Sequence, residues 1–225
     1  MKRIVAISAF LLYAQLGLGQ AKRLSIPLYG SGDTSLWFNW QKEKFSQVGL
    51  LDLVTATDSL HVRLSTETQA VDIWTSDLKT FHGSFANFTT RYDPEKIRNP
   101  SKKQDRIFSR KVALSPAVAG QIHALIDELT ILSIPTSEQI EGWGLGADGN
   151  TYLIEQSTPS QYTFKEYWTP STFKDRLKEA AIIQQFIDEL DTRLQMKSSF
   201  RTFINTLPKG TYRAGGLMLI TSSSR

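Results

Sequence analysis

Apolar and polar positions alternate first between residues 59 and 91. Leu60, Val62 and Leu64 alternate with His61, Arg63 and Ser65, and Val71 and Ile73 alternate with Asp72 and Trp74. A period of two means strands with one face buried. Ser76-Asp77-Leu78-Lys79 reads as a turn, after which Phe81, Gly83 and Phe85 continue on one face. The short connections predict an antiparallel meander of three or more strands, and Ile107 to Leu114 adds another strand. At Ser115-Pro116 the period changes. A capping serine with proline at the first helical position opens a helix, and Val118, Ile122, Leu125, Ile126 and Leu129 form its apolar stripe. Thr169-Pro170 repeats the device before a longer stripe through Phe173, Leu177, Ala180, Ile183, Ile187, Leu190 and Leu194. Between the helices, Glu141 to Leu145, Thr151 to Gln156 and Tyr162 to Trp168 are strand-like, with turns at Asp148-Gly149 and Pro159-Ser160. Lys209-Gly210 and Leu217 to Ile220 supply a last turn and strand. Residues 36–48 fit either a helix or a strand. The expected fold is α+β: antiparallel sheet built from meanders and packed by two main amphipathic helices, about 116–131 and 171–195.

The start of the chain has a different character. Lys2 and Arg3 precede an apolar run from Ile4 to Leu18, and Gly17-Leu18-Gly19 puts small residues before Gln20. This pattern reads as a secretory signal peptide, residues 1–19, cleaved before Gln20. The run is shorter than the roughly 20 residues of a membrane-spanning helix, and no later stretch is long and apolar enough to span. The expected product is a secreted or periplasmic protein in which residues 20–114 form a β-rich region. Residues 115–225 form a helix, meander, helix and strand region, which either is separate or shares one domain with 20–114.

Composition narrows the chemistry. The 225 residues contain no cysteine, which excludes disulfides, thiolate metal sites and cysteine nucleophiles. Removing Lys2 and Arg3 leaves 24 cations against 22 acids, a net charge of +2. Nucleic-acid binders carry a larger basic patch, so a nucleic-acid partner is not expected. Seven cations do cluster between Lys96 and Lys111. They read as a solvated loop, with an anionic partner as the alternative.

Several residue groups have the makings of a site. Gly144-Leu145-Gly146-Ala147-Asp148-Gly149 spells G-x-G-x-x-G, but β-rich Thr151 to Ile154 follows where a dinucleotide site needs a helix. It reads as a glycine-rich hairpin, and no cofactor is expected. His61 and His82 share the polar strand face, where they are placed to approach each other and take a metal with Asp58 or Asp72; solvent-facing strand positions are the simpler reading. Glu155 and Glu166 lie on neighbouring strands nearly opposite each other, as the carboxyl pair of a glycosidase would. Trp143, Tyr162, Tyr167 and Trp168 stand nearby as rings for a sugar or other ligand. The simpler reading has the glutamates facing water or paired with lysines, and the rings packed on the long helix. Asn87-Phe88-Thr89 is a glycosylation sequon.

Asp148-Gly149-Asn150-Thr151-Tyr152-Leu153-Ile154-Glu155, followed by Tyr162-Thr163-Phe164-Lys165-Glu166-Tyr167-Trp168-Thr169-Pro170, gives D-G-x-x-Y-x-x-E and then Y-x-x-K-x-Y-W-x-P before an amphipathic helix. From 115 to 196 the chain resembles a recurrent segment of exported bacterial α+β proteins. The resemblance implies an antiparallel sheet backed by helices and supplies no catalytic residue.

The sequence thus leads to an exported, non-enzymatic binding or envelope-associated protein, with an unidentified protein or glycan as its partner. The alternative is a carboxylate-dependent glycan hydrolase using Glu155 and Glu166.

Overall fold

The computed structural model describes residues 21–28, 34–93, 106–144, 146 and 148–221. The leader, most of the 96–111 cation cluster, Leu145 and Ala147 of the glycine-rich loop, and the last four residues lie outside the described residues.

The strands are β1 (Arg23–Ser25), β2 (Leu60–Ser65), β3 (Gln69–Thr75), β4 (His82–Arg91), β5 (Ile107–Leu114), β6 (Thr151–Ser157), β7 (Gln161–Trp168), β8 (Gly210–Ala214) and β9 (Leu217–Thr221). They form one sheet in the order β1-β7-β6-β2-β3-β4-β8-β9, with β5 also paired to β4. All pairs are antiparallel except β1 with β7. The architecture is therefore α+β on a mixed, mostly antiparallel sheet. Because β2 pairs with β6, and β4 with β8, strands from both halves of the chain lie in the same sheet.

Strand alternation sorts the residues onto two faces. One face presents Val62, Leu64, Val71, Ile73, Phe85 and Ile154 to helices α2 (Pro116–Glu128) and α4 (Lys178–Leu194). From α2 come Ala119, Ile122, Leu125 and Ile126, and from α4 come Ala180, Ile183, Phe186, Ile187 and Leu190. Each such large side chain contributes about 1.5–3 kcal/mol by leaving water. The Ser115 hydroxyl accepts from the Val118 N–H, as its place before Pro116 predicts.

The second long helix is shorter than its stripe. Thr169 adopts a left-handed backbone (φ 41°) and makes no side-chain cap. A single turn, α3 (Pro170–Phe173), follows, and Leu177 is extended before α4 begins at Lys178. Phe173 and Leu177 still reach the core, because a stripe records what is buried and not whether the backbone is continuous. Gln195, also left-handed at φ 49°, ends α4 and turns the chain into α5 (Met196–Asn205), which the sequence reading did not assign. The strand expected at 141–145 is a turn at 141–142 and irregular backbone at 143–144. Gly142 sits at φ 83°, and the Trp143 indole N–H donates to the Trp168 carbonyl.

The opposite face is also covered. Residues Leu36–Val48 form helix α1: the Ser35 hydroxyl accepts from the Trp37 N–H, and Gly49 at φ 74° closes the C-terminus. Phe45, Val48 and Leu50 pack on Ala70, Ala86 and Phe88. Leu53 and Ala56 pack on Leu153, Tyr162 and Phe164. Across β2, β3, β6 and β7 the sheet therefore lies between helices on one side and α1 with residues 50–56 on the other, and most polar positions of these strands face protein, whereas β5 is largely exposed. None of the described helices is long and apolar enough to cross a membrane.

Candidate functional site

The second face of the sheet carries rows of register partners that run across the strands. In one row Phe164 on β7 stands opposite Glu155 on β6, Glu155 opposite Arg63 on β2, Arg63 opposite Asp72 on β3, and Asp72 opposite Ser84 on β4. Directly opposed side chains in an antiparallel ladder point the same way and touch. The Arg63 Nε donates to Asp72 Oδ1 at 2.6 Å, and Nη1 reaches Glu155 Oε2 at 3.5 Å. Nη2 donates to the Leu51 carbonyl at 3.0 Å, and the guanidinium lies over the Phe45 ring, 4.9 Å from its centroid. The Tyr162 hydroxyl donates to Glu155 Oε1 at 2.8 Å. Arg63 is only 1% exposed, so these contacts take the place of water.

Burial and charge set the protonation of the row. Desolvation pushes Asp72 upward, but the Arg63 charge and hydrogen bond, with the nearby His61 ring, outweigh it and hold its carboxyl below the usual range. For Glu155 desolvation wins over Arg63 and Tyr162, and the carboxyl is raised. Tyr162 is raised as well, by burial and by its acidic neighbour. One guanidinium thus serves two carboxylates, and the shorter contact belongs to Asp72.

Above this row lies a cleft of about 290 Å³, near the lower end of the roughly 300–1,000 Å³ of small-ligand sites. Phe38, Phe45, Leu50, Leu51, Leu53 and Phe164 give it apolar walls; Arg63, Glu155 and Tyr162 are its polar residues on the sheet. Gln41, Lys42, Ser46 and Asp52 line it from α1 and the segment that follows. Lys42 and Asp52 pair at 3.0 Å, both partly exposed. The covering segment is tied down from below. Ser157 Oγ donates to the Leu53 carbonyl at 2.7 Å, and Lys22 Nζ bonds Ser157 Oγ at 2.6 Å and the carbonyls of Leu53 and Ala56. Gln41 is 2% exposed; its Nε2 donates to the Thr66 carbonyl, while its Oε1 has no hydrogen-bond partner among the described residues.

The residues singled out from sequence are distributed unevenly around this cleft. Glu155 and Tyr162 line it. Glu166 shares the face but stands opposite Leu153, one row diagonal to Glu155 rather than opposite it. It is buried, accepts from the Ser35 hydroxyl and does not line the cleft. Both glutamates are buried. Tyr167 and Trp143 lie in the helix-side core, their rings 5.7 Å apart, with the Tyr167 hydroxyl donating to the Ile134 carbonyl. Trp168 packs on Phe173. Lys165 also points to that side and donates to the carbonyls of Leu132 and Ile134 at 2.7 Å.

His61 and His82 lie in the next row with Trp74 between them, and both imidazoles stack on its indole at 5.6 and 6.0 Å. His61 is buried, not solvent-facing; its Nδ1 is 3.0 Å from Asp58 Oδ2 and its Nε2 is 3.5 Å from Asp72 Oδ1. No cluster of metal-ligating side chains occurs among the described residues. Asn87 of the sequon is buried, accepting from Gln69 Nε2 and donating to Ser199 Oγ, so the folded chain does not present it for glycosylation. Of the cation cluster, Lys111 donates to the Gly49 carbonyl and Arg106 stacks on Phe108.

Sequence reasoning missed Arg63, Phe38, Phe45, Gln41 and Asp52 as site residues. The signal for Arg63 was an arginine among apolar neighbours on a strand, and its meaning appears only once α1 covers that face. Comparison with protein-family models, curated proteins and solved structures returns no match.

Proposed function

We propose that the chain is an exported, non-enzymatic binding protein that holds a small ligand in the cleft between α1 and the Glu155-Arg63-Asp72 row. One observation carries this reading: a cavity with aromatic and aliphatic walls ends on a few buried polar groups that the fold already holds in place. Phe38 packs against Phe164 and Tyr162, and Phe45 against Phe88, so the walls are built from ring contacts within the fold itself. The leader pattern of residues 1–19 supports the export part of this reading. An envelope or extracellular setting, with the ligand free or part of a glycan or protein partner, fits both.

The glycan-hydrolase reading needs Glu155 and Glu166 in one cleft. Only Glu155 lines this one, which favours binding over turnover.

A thermal-shift screen of glycans and small amphipathic compounds tests the proposal, with Ser46→Trp as the control. Ser46 is an exposed residue of α1 at the cleft wall, so the indole blocks the cleft without entering the core. A ligand at 100 times its Kd adds about 2.7 kcal/mol to stability. The expected result is a hit on the wild type that Ser46→Trp abolishes. A hit that survives Ser46→Trp places binding elsewhere and overturns the proposal.

A further inference from the structure

Resting on the cleft as the ligand site, we infer that its ligand is a small organic cation: a primary ammonium group carried on an apolar or aromatic body. The argument starts from what the polar residues lack. Glu155 and Asp72 are two carboxylates facing one guanidinium, and Arg63 spends its short bond on Asp72. Glu155 is 6% exposed and lines the cleft, its Oε2 held among the described residues by the 3.5 Å contact with Arg63. The second vacancy is also an acceptor. The Gln41 side chain lines the cleft, and its Oε1, closed off from solvent, has no donor among the described residues; on binding, the side chain turns this oxygen toward the ligand. Buried acceptors without donors are costly to leave so.

The other lysines described at or beneath the cleft have partners of their own. Lys42 is committed to Asp52 at the cleft, and Lys22 to the carbonyls of Leu53 and Ala56 and to Ser157. A ligand carrying several N–H donors and one positive charge satisfies both acceptors and balances the second carboxylate. An anion meets Glu155 with the wrong sign, and a neutral alcohol supplies a single donor. The phenyl walls of Phe38, Phe45 and Phe164 suit the ligand body, and their π faces favour a cation.

Three probes that share one body separate charge from shape: phenethylamine, 2-phenylethanol and phenylacetate. Their affinities are measured by isothermal titration calorimetry at neutral pH on the wild type, Ser46→Trp, Glu155→Gln and Gln41→Leu, each variant first checked for cooperative thermal unfolding. The inference expects the amine to bind about tenfold or more tighter than either analogue, a difference of at least about 1.4 kcal/mol. Ser46→Trp should abolish binding, and Glu155→Gln should remove the preference for the amine. Gln41→Leu weakens the amine without that charge effect and stands in if Glu155→Gln fails to fold. If all three probes bind alike and Ser46→Trp abolishes them, the cleft remains the site but the cation inference falls. Preference for phenylacetate overturns it as well. If no probe binds, the cation inference falls and the cleft reading rests on the wider screen.

Discussion

Arg63 and Asp72 are register partners on β2 and β3, joined by a 2.6 Å bond from Nε to Oδ1 on a face of the sheet that α1 buries. The pair is an exchange of hydration for one well-aligned ionic bond. Removing a single partner leaves a buried charge uncompensated, which costs about 3–5 kcal/mol. Arg63→Met should therefore lose about that much stability in urea unfolding. Adding Asp72→Leu and Glu155→Gln should recover most of the loss, because the uncharged triplet no longer strands a carboxylate. A loss below about 1 kcal/mol for Arg63→Met would mean that the row is hydrated.

Glu155 behaves in the opposite sense to Asp72. Its carboxyl is raised above the ordinary 4.5, mainly by burial. The folded state thus holds the proton more tightly than the unfolded one, and the stability this confers is lost as pH rises through the folded value. Asp72 is lowered below 3.8, and its contribution is lost only as pH falls through its folded value. Glu155→Gln should match the wild type near pH 4 and exceed its melting temperature near pH 7. Equal melting temperatures at both pH values would contradict the assignment.

Two buried lysines predict an alkaline effect. Lys44 lies over the Trp40 and Phe88 rings and donates to the Glu67 carbonyl; burial, helped by Arg213 and opposed by Glu67, lowers it to about 8. Lys165 is lowered to about 8 by burial alone. Between pH 8 and 10.5 the unfolded chain binds more protons at these positions than the folded one, so stability rises with pH, by up to about 1.4 kcal/mol per unit for each lysine. Above pH 10 the tyrosines reverse the trend: Tyr162 and Tyr167 are raised by burial, so the unfolded state loses those protons first. Chemical denaturation should show a stability maximum near pH 10, flattened in Lys165→Met. A curve that falls steadily from pH 8 would rule this out.

Gly149 illustrates what the glycine-rich stretch does. It adopts φ 147°, and a Cβ there would collide with the Thr169 hydroxyl and crowd the Trp168 indole. Gly146 lies against the same indole. The repeat of glycines reflects the packing of Trp168 and the turn before β6, with no phosphate required. Gly149→Ala should cost about 1–3 kcal/mol through strain, seen as a lowered melting temperature. A neutral result would show that the turn adapts.

The sequence shows parts of this fold where the signal is local. The Ser115-Pro116 start of α2 and the β6–β7 hairpin around Pro159-Ser160 lie where capping chemistry and turn residues put them. Thr169-Pro170 has the same local chemistry, yet Thr169 is left-handed and the helix restarts at Lys178. The site was legible only in fragments. Alternation identifies one apolar face and leaves the other to be read as wet. Here Arg63, Asp72, Glu155 and Glu166 keep the polar pattern of an exposed face while buried beneath α1. The partners of Arg63 lie 9 and 92 residues away along the chain, so nothing local announces the row. Residues 36–48 remained ambiguous because the buried stripe of α1 includes Gln41 and Lys44.

The most direct test of the account is an amide NMR titration of the isotopically labelled chain with phenethylamine. The cleft on the α1 side predicts shifts concentrated at Leu50, Leu51, Leu53, Arg63, Glu155 and Tyr162. Shifts confined instead to the cleft formed by Thr66, Tyr152, Asp188, Asp191 and Lys197, against α4 and α5, would contradict it.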